Sequence, residues 1–200
     1  MRTRILEAAY ACVSRSGMAK TTIEATAREA NVSRATVYRY FPGGKDELLA
    51  GVVDFEVLRF FGRMTDAVRG STDLLDVTGA SLAFASRALA EHVVLQQVLR
   101  SEPQLLVPRI NDSTNRLLPI VRQFLAPFVA AEAAAGRLRP GVDPRLAADY
   151  VARMALTYAN AAGGWDLGDP VQVRALVRLV LGGVVEERHG NQADEADGLR

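Results

Sequence analysis

Residues 34–39 concentrate the side chains of this chain that can read the edge of a base pair. Arg34 and Arg39 can each donate two hydrogen bonds to a guanine, Thr36 can bond a base edge or a phosphate, and Ala35 can meet a thymine methyl, with Tyr38 among them. Thr22, Tyr40 and Lys45, set around this segment, have the chemistry of phosphate anchors, as do the backbone amides at helix starts. Charge singles out the same region. Residues 1–45 hold eight bases (Arg2, Arg4, Arg15, Lys20, Arg28, Arg34, Arg39, Lys45) against three acids (Glu7, Glu24, Glu29), a net of +5, whereas the whole 200-residue chain carries +1. A basic head on a mildly acidic body implies a polyanion partner for the head only.

The remaining residues offer no catalytic or metal-binding spacing. His92, beside Glu91, and His189 lie far apart in sequence and have no partner cysteine. No HExxH, GxSxG, glycine-rich phosphate loop or EF-hand spacing occurs. The lone Cys12 excludes an internal disulfide and reads as a small core residue rather than a redox sensor. His92 reads as a surface or capping residue, a ligand contact being the alternative. An enzyme, a cofactor and a metal are therefore not expected. No run of about 18 uncharged apolar residues marks a membrane span. Met1-Arg2-Thr3-Arg4 leads into an amphipathic pattern without an export signal, so a cytoplasmic protein with no membrane partner is expected.

The elements that must position these side chains are helical. Apolar residues recur with helical period almost everywhere, and no alternating run of strand length occurs, so the fold class is all-α with roughly nine helices. Ile5, Leu6, Ala9, Cys12 and Val13 form one face of a first helix that stops at Gly17. Thr21 with Glu24 has the capping-box spacing for a short second helix. Asn31-Val32-Ser33 reads as a turn, Asn31 tolerating the left-handed conformation, and Ser33 caps a third helix from Arg34 to Tyr40. With Ala27 small at the crossing and Val37 packing back, this is a helix-turn-helix whose second helix suits a major groove. After Phe41-Pro42-Gly43-Gly44 a long helix starts near Lys45 and carries a broad apolar stripe through Leu48, Val52, Val57, Phe60 and Met64. Farther on, one segment ends before Pro103, and a helix over 111–135 contains Pro119 and Pro127, which should kink or split it. Two closing helices open with Asp143-Pro144 and Asp169-Pro170 and run to Gly163-Gly164 and about Val185.

Thr21-Thr22-Ile23, Ala27 through Ser33, Thr36 through Pro42 and Lys45-Asp46-Glu47-Leu48-Leu49 resemble the N-terminal domain of the TetR/AcrR transcriptional regulators, over residues 2–53. The resemblance implies a homodimer with a DNA-binding head and a divergent ligand-binding body, in most members a repressor. It places Thr22, Tyr40 and Lys45 on phosphates and Arg34, Ala35, Thr36, Tyr38 and Arg39 toward the groove. Two departures stand out: Asn31 replaces the usual glycine, and Gly43-Gly44 adds a residue before Lys45. The expected organisation is a head over 1–45, a linking helix over 45–69, a ligand-binding and dimerisation body over 46–187, and a polar tail over 188–200.

Within the body, Phe84, Leu95, Leu99, Phe124, Phe128, Met154 and Tyr158 are the candidates to line a cavity between proline-kinked helices, where the bland reading is ordinary core. Ala148, Val151, Ala155, Ala159, Leu176 and Val180 form small and aliphatic stripes suited to a dimer interface, or to covering the monomer core. Trp165 could serve the cavity or an interface. The expected function is a regulator of double-stranded DNA, released from a palindromic operator by a small hydrophobic effector. A dimeric DNA-binding protein without an effector is the alternative.

Overall fold

The computed structural model describes residues 1–160 and 163–186, without the side chains of 109–116 and 160. His189 and the tail over 188–200 lie outside the described residues. Among the described residues the chain forms nine helices and no strand: α1 (Arg2–Ser16), α2 (Ile23–Glu29), α3 (Arg34–Tyr40), α4 (Gly44–Ala67), α5 (Leu74–Ala90), α6 (Val93–Ser101), α7 (Pro103–Ala134), α8 (Pro144–Asn160) and α9 (Pro170–Leu181).

Local signals set the head. α1 stops at Gly17, whose φ of +83° lies in the left-handed region that favours glycine, and a Cβ there would also press on the Glu102 carboxylate at 2.7 Å. The cap of α2 is Thr22 rather than Thr21: Thr22 Oγ1 accepts from the Ala25 amide at 3.1 Å. Thr21 is buried and donates its hydroxyl to the Gly17 carbonyl at 2.8 Å, which takes it out of the capping box. Asn31 adopts φ 51° at the turn, as its type suggests, and Ser33 caps α3 by accepting from the Thr36 amide at 3.1 Å.

Three helices then close on one core of Ile5, Leu6, Ala9, Ile23, Ala27, Val37 and Phe41, to which α4 adds Leu48 and Val52. Val37 and Phe41 are wholly buried, each worth about 1.5–3 kcal/mol by the area removed from water. α4 continues into the body, where Met64 joins a second core with Val77, Leu82, Val121, Leu125, Val151, Leu176 and Val177. One rigid helix thus belongs to both cores.

α7 is longer than its pattern suggested. Pro103 opens it at the first helical position instead of merely ending α6, and Pro108, Pro119 and Pro127 lie inside one continuous helix. Its stretch Leu117–Ala134 reaches the length and mean hydropathy of a spanning helix, contrary to the expectation of none. That stretch carries Arg122 and Glu132, and its Val121, Leu125 and Val129 are buried in the body core. Asp143 and Asp169 cap α8 and α9 as expected, accepting from the Arg145 amide at 2.7 Å and the Val171 amide at 2.9 Å. α9 ends at Leu181, earlier than expected. The residues beyond it pair with the α7–α8 connection, with the Arg139 amide on the Val184 carbonyl at 3.0 Å and the Glu186 amide on the Arg137 carbonyl at 2.9 Å.

Candidate nucleic-acid interface and ligand cavity

The outward face of α3 is open to solvent. Arg34, Ala35, Tyr38 and Arg39 are exposed, Thr36 and Tyr40 are half-buried, and Val37 alone of the helix is buried in the core. Three of these side chains already have partners. Arg34 pairs with Glu24 at 2.8 Å, Thr36 Oγ1 lies 2.9 Å from Ser33 Oγ, and the Arg39 guanidinium sits over the Tyr40 ring at 5.4 Å. The Arg34–Glu24 bridge is exposed on both sides, so it contributes little stability and leaves the guanidinium able to exchange partners. Thr22 is exposed at the start of α2, and its hydroxyl hydrogen remains available while its oxygen caps the helix.

Lys45 stands at the start of α4, and its Nζ donates to the Ala19 carbonyl at 2.6 Å. An ammonium carries two further protons, so this bond positions the residue without consuming it. The same loop is gripped from the body. Glu102, between α6 and α7, accepts from the Met18 amide at 2.7 Å and from the Ala19 amide at 3.2 Å. Nothing in the local sequence announces this clamp, because its partners are 84 and 83 residues apart.

Between α4, α5, α6, α7 and α8 lies a cavity of about 500 Å³ whose wall is mostly apolar. Of the seven candidates, Leu95, Leu99 and Phe124 line it. Phe84, Phe128, Met154 and Tyr158 do not; they stand in the layer behind, Phe84 on Phe60 at 5.4 Å and Phe128 on Phe124 at 6.1 Å. On α8 the residues that reach the cavity are Ala155, Leu156 and Ala159, about 100° around the helix from Met154 and Tyr158. α4, unexpectedly, contributes the most, with Val52, Val53, Glu56, Val57, Phe60, Phe61 and Met64. The breadth of its apolar stripe was the available signal. Tyr10, Val13 and Met18 also line the cavity, so it abuts the head itself.

His92 caps α6: its Nδ1 accepts from the Leu95 amide at 3.0 Å, which assigns the ring proton to Nε2. The ring meets Tyr10 edge-on at 6.4 Å, and Nε2 faces Glu56 Oε2 at 3.6 Å. Burial pushes the Glu56 carboxyl up, but His92 and Arg59 together outweigh it and hold the group below the ordinary carboxylate range. Trp165 packs on the body core and is not part of the cavity wall.

The six residues expected at a dimer interface are engaged elsewhere. Ala148, Val151, Leu176 and Val180 are buried in the core of a single chain, and Ala155 and Ala159 face the cavity. Small and aliphatic side chains at these positions let α8 and α9 approach α7 and α5. The outward faces of the closing helices carry Leu146, Tyr150, Val171 and Leu179 instead.

Residues 5–52 match the model of the bacterial regulatory proteins of the tetR family. None of the curated proteins is detectably similar. Among solved structures the chain is similar to the R. erythropolis transcriptional repressor QsdR, at 22% identity over 94% of this chain and 97% of that one, with a TM-score of 0.58. It is also similar to a triclosan complex of SmeT, the repressor of a Stenotrophomonas maltophilia multidrug efflux pump, at 22% identity over 100% and 98% with a TM-score of 0.55. A third is the regulator FadR from Bacillus subtilis in complex with stearoyl-CoA, at 18% identity over 92% and 99% with a TM-score of 0.52. These likenesses extend the shared fold from the head across the body.

Proposed function

We propose, from the match of its head at residues 5–52 to the tetR family of bacterial regulatory proteins, that the chain is a dimeric repressor which a small apolar molecule releases from a twofold operator. The observation that carries the ligand-responsive part is the cavity's reach. A molecule filling it touches Met18, and the same loop carries the Ala19 carbonyl that holds Lys45. Its volume of about 500 Å³ falls in the range of small-molecule sites. Two proteins of like fold were solved with small molecules bound, triclosan and stearoyl-CoA.

Two heads in a dimer read half-sites about 34–36 Å apart, one DNA turn. An effector releases DNA only if it binds better to a conformer with another spacing, so its differential affinity sets the response. Octanol at a hundred times its Kd is expected to stabilise the protein by about 2.7 kcal/mol and to weaken operator binding. Ala155→Trp, which fills the cavity from α8, should abolish both effects together. Thermal melting and operator titration with and without octanol check this. Stabilisation with unchanged operator affinity would leave a DNA-binding dimer without an effector switch.

The head makes a second prediction. Arg34→Ala should cost about 1–3 kcal/mol on the operator and relax the preference at one base pair of each half-site. Lys45→Ala should weaken operator and unrelated DNA alike and make the salt slope shallower by about one unit. Titrations of single-base operator variants over a range of salt separate the two. Exchange of these phenotypes between the variants would reverse the assignments.

A further inference from the structure

The cavity wall contains one charged side chain among its described residues, and it is a carboxylate. Apart from Glu56, the polar members of the wall are Tyr10, Thr78, Ser81, His92 and Gln96. Several of these are committed to the protein: Thr78 donates its hydroxyl to the Leu74 carbonyl at 2.7 Å, Gln96 donates its amide to the Leu89 carbonyl at 2.9 Å, and His92 Nδ1 caps α6. Ser81 is different. It is 9% exposed, and its Oγ is buried without a hydrogen-bond partner. A helical serine can usually bond the carbonyl four residues back; Ser81 Oγ does not and is enclosed in this rotamer, so a turn about χ1 toward the cavity would give it a ligand atom as partner.

Glu56 is saturated on one side only. Arg59 Nη1 donates to its Oε1 at 2.9 Å, but Arg59 is half exposed and not part of the wall, so it approaches from outside. Oε2 faces His92 Nε2, another residue of the wall, at 3.6 Å, longer than a hydrogen bond, and so retains acceptor capacity. The two stations are separated along the bundle. Phe60, four residues beyond Glu56 on α4, packs on Phe84 of the neighbouring α5, and Ser81 precedes Phe84 by three residues. With 1.5 Å of rise per residue, and α5 returning along α4, Ser81 lies about 10 Å deeper than Glu56.

We infer that the cavity selects an elongated apolar molecule bearing two polar groups about 10 Å apart, a hydroxyl or protonated amine that donates to Glu56 Oε2 and an oxygen that bonds Ser81 Oγ, and that it rejects free carboxylates. The inference deepens the ligand-responsive reading above and rests on it. A ligand carboxylate at the Glu56 end would set two like charges together in an apolar enclosure, where their repulsion is poorly screened. A hydroxyl or ammonium there gains a charge-assisted bond. A chain without the second oxygen leaves Ser81 buried and unpaired.

The test is calorimetric titration and thermal melting of the full chain with four probes: octanediol with a hydroxyl at each end, octanol, octylamine and octanoate. Octanediol should bind about tenfold more tightly than octanol, and octanoate at least tenfold more weakly, the factor expected for one hydrogen bond gained or one repulsion incurred. Octylamine should match or exceed octanol. Ser81→Ala should erase the advantage of the diol, leave octanol unchanged and raise the melting temperature of the unliganded protein, because an orphaned hydroxyl is removed. A merely structural serine would lower that temperature. Glu56→Gln should bring octanoate up to octanol. Equal binding of octanoate and octanol by the unsubstituted chain, or a diol advantage that is absent or survives Ser81→Ala, overturns the inference and leaves the repressor reading standing. Binding of none of the four removes the cavity from both. The expected order of affinities without release of operator DNA supports this inference and defeats the switch.

Discussion

Leu179→Arg is expected to leave each chain folded but monomeric and to weaken operator binding by about 10²–10⁴, the avidity lost when two half-sites are no longer bound as one. Leu179 is 68% exposed, as are Val171 at 75%, Leu146 at 72% and Tyr150 at 42%. Leu146 and Tyr150 lie four residues apart on α8, and Val171 and Leu179 lie two turns apart on α9 with exposed Ala175 between them. Apolar groups at that spacing form one outward stripe per helix, and a stripe of this kind on a soluble domain marks an interaction surface. In a twofold interface the patch meets its own copy, so one substitution places two guanidinium groups against each other. The isolated chain tolerates the change, because an exposed side chain contributes within about 0.5 kcal/mol. Sedimentation and operator titration measure the two outcomes. A variant that remains dimeric with full affinity moves the interface off α8 and α9, and the exposed Val107 and Ile120 of α7 become the next surface to substitute.

Ala155→Glu, the substitution that the stripe in the sequence suggests, would instead put a charge into the cavity wall, and the reason shows what a sequence can disclose. The head was legible because its determinants are local. Gly17, Thr22, Asn31 and Ser33 each act within four residues of their own position, and the crossing of α2 and α3 needs only Ala27 and Val37. In the body, periodicity tells that a helix has an apolar face but not what the face meets. Ala148, Val151, Ala155 and Ala159 fall on one side of α8, yet the first two enter the core and the last two enter the cavity, since α8 passes from one to the other along its length. Thr21 and Thr22 differ for a similar reason. Only packing decides which of two adjacent threonines is buried and which caps. Glu56, Ser81 and Glu102 carry no signal of their own, because an isolated polar residue in a helical pattern reads as solvated surface until its neighbours are known.

Glu102→Ala is expected to destabilise the protein by about 2–4 kcal/mol and to disconnect the cavity from the DNA-binding face. The carboxylate accepts from two backbone amides, those of Met18 and Ala19, and bonds to an ionised acceptor are worth about 1.5–3 kcal/mol each. Met18 is buried, so its amide has no ready substitute in water. The loop it belongs to is held on three sides. Glu102 grips it from the body, Thr21 bonds its Gly17 carbonyl, and Lys45 bonds its Ala19 carbonyl from α4. Met18 also lines the cavity, so an occupant that displaces it moves amides anchored to Glu102 and a carbonyl anchored to Lys45. With alanine at 102 the first anchor is gone. The loop then positions Thr22 and Lys45 less firmly, and operator affinity should fall by about tenfold, the equivalent of one lost hydrogen bond. Octanol should still raise the melting temperature, because the wall of the cavity is intact, but should no longer change operator affinity. Both amides donate to Oε2, so Glu102→Gln keeps an oxygen that can accept from both but loses the charge, and its stability and coupling should fall between those of the parent and the alanine variant. Urea unfolding, melting with octanol and operator titration with octanol measure the three quantities separately. Full operator affinity in Glu102→Ala, still abolished by octanol, would mean that the signal travels along α4 alone, the one helix built into both cores.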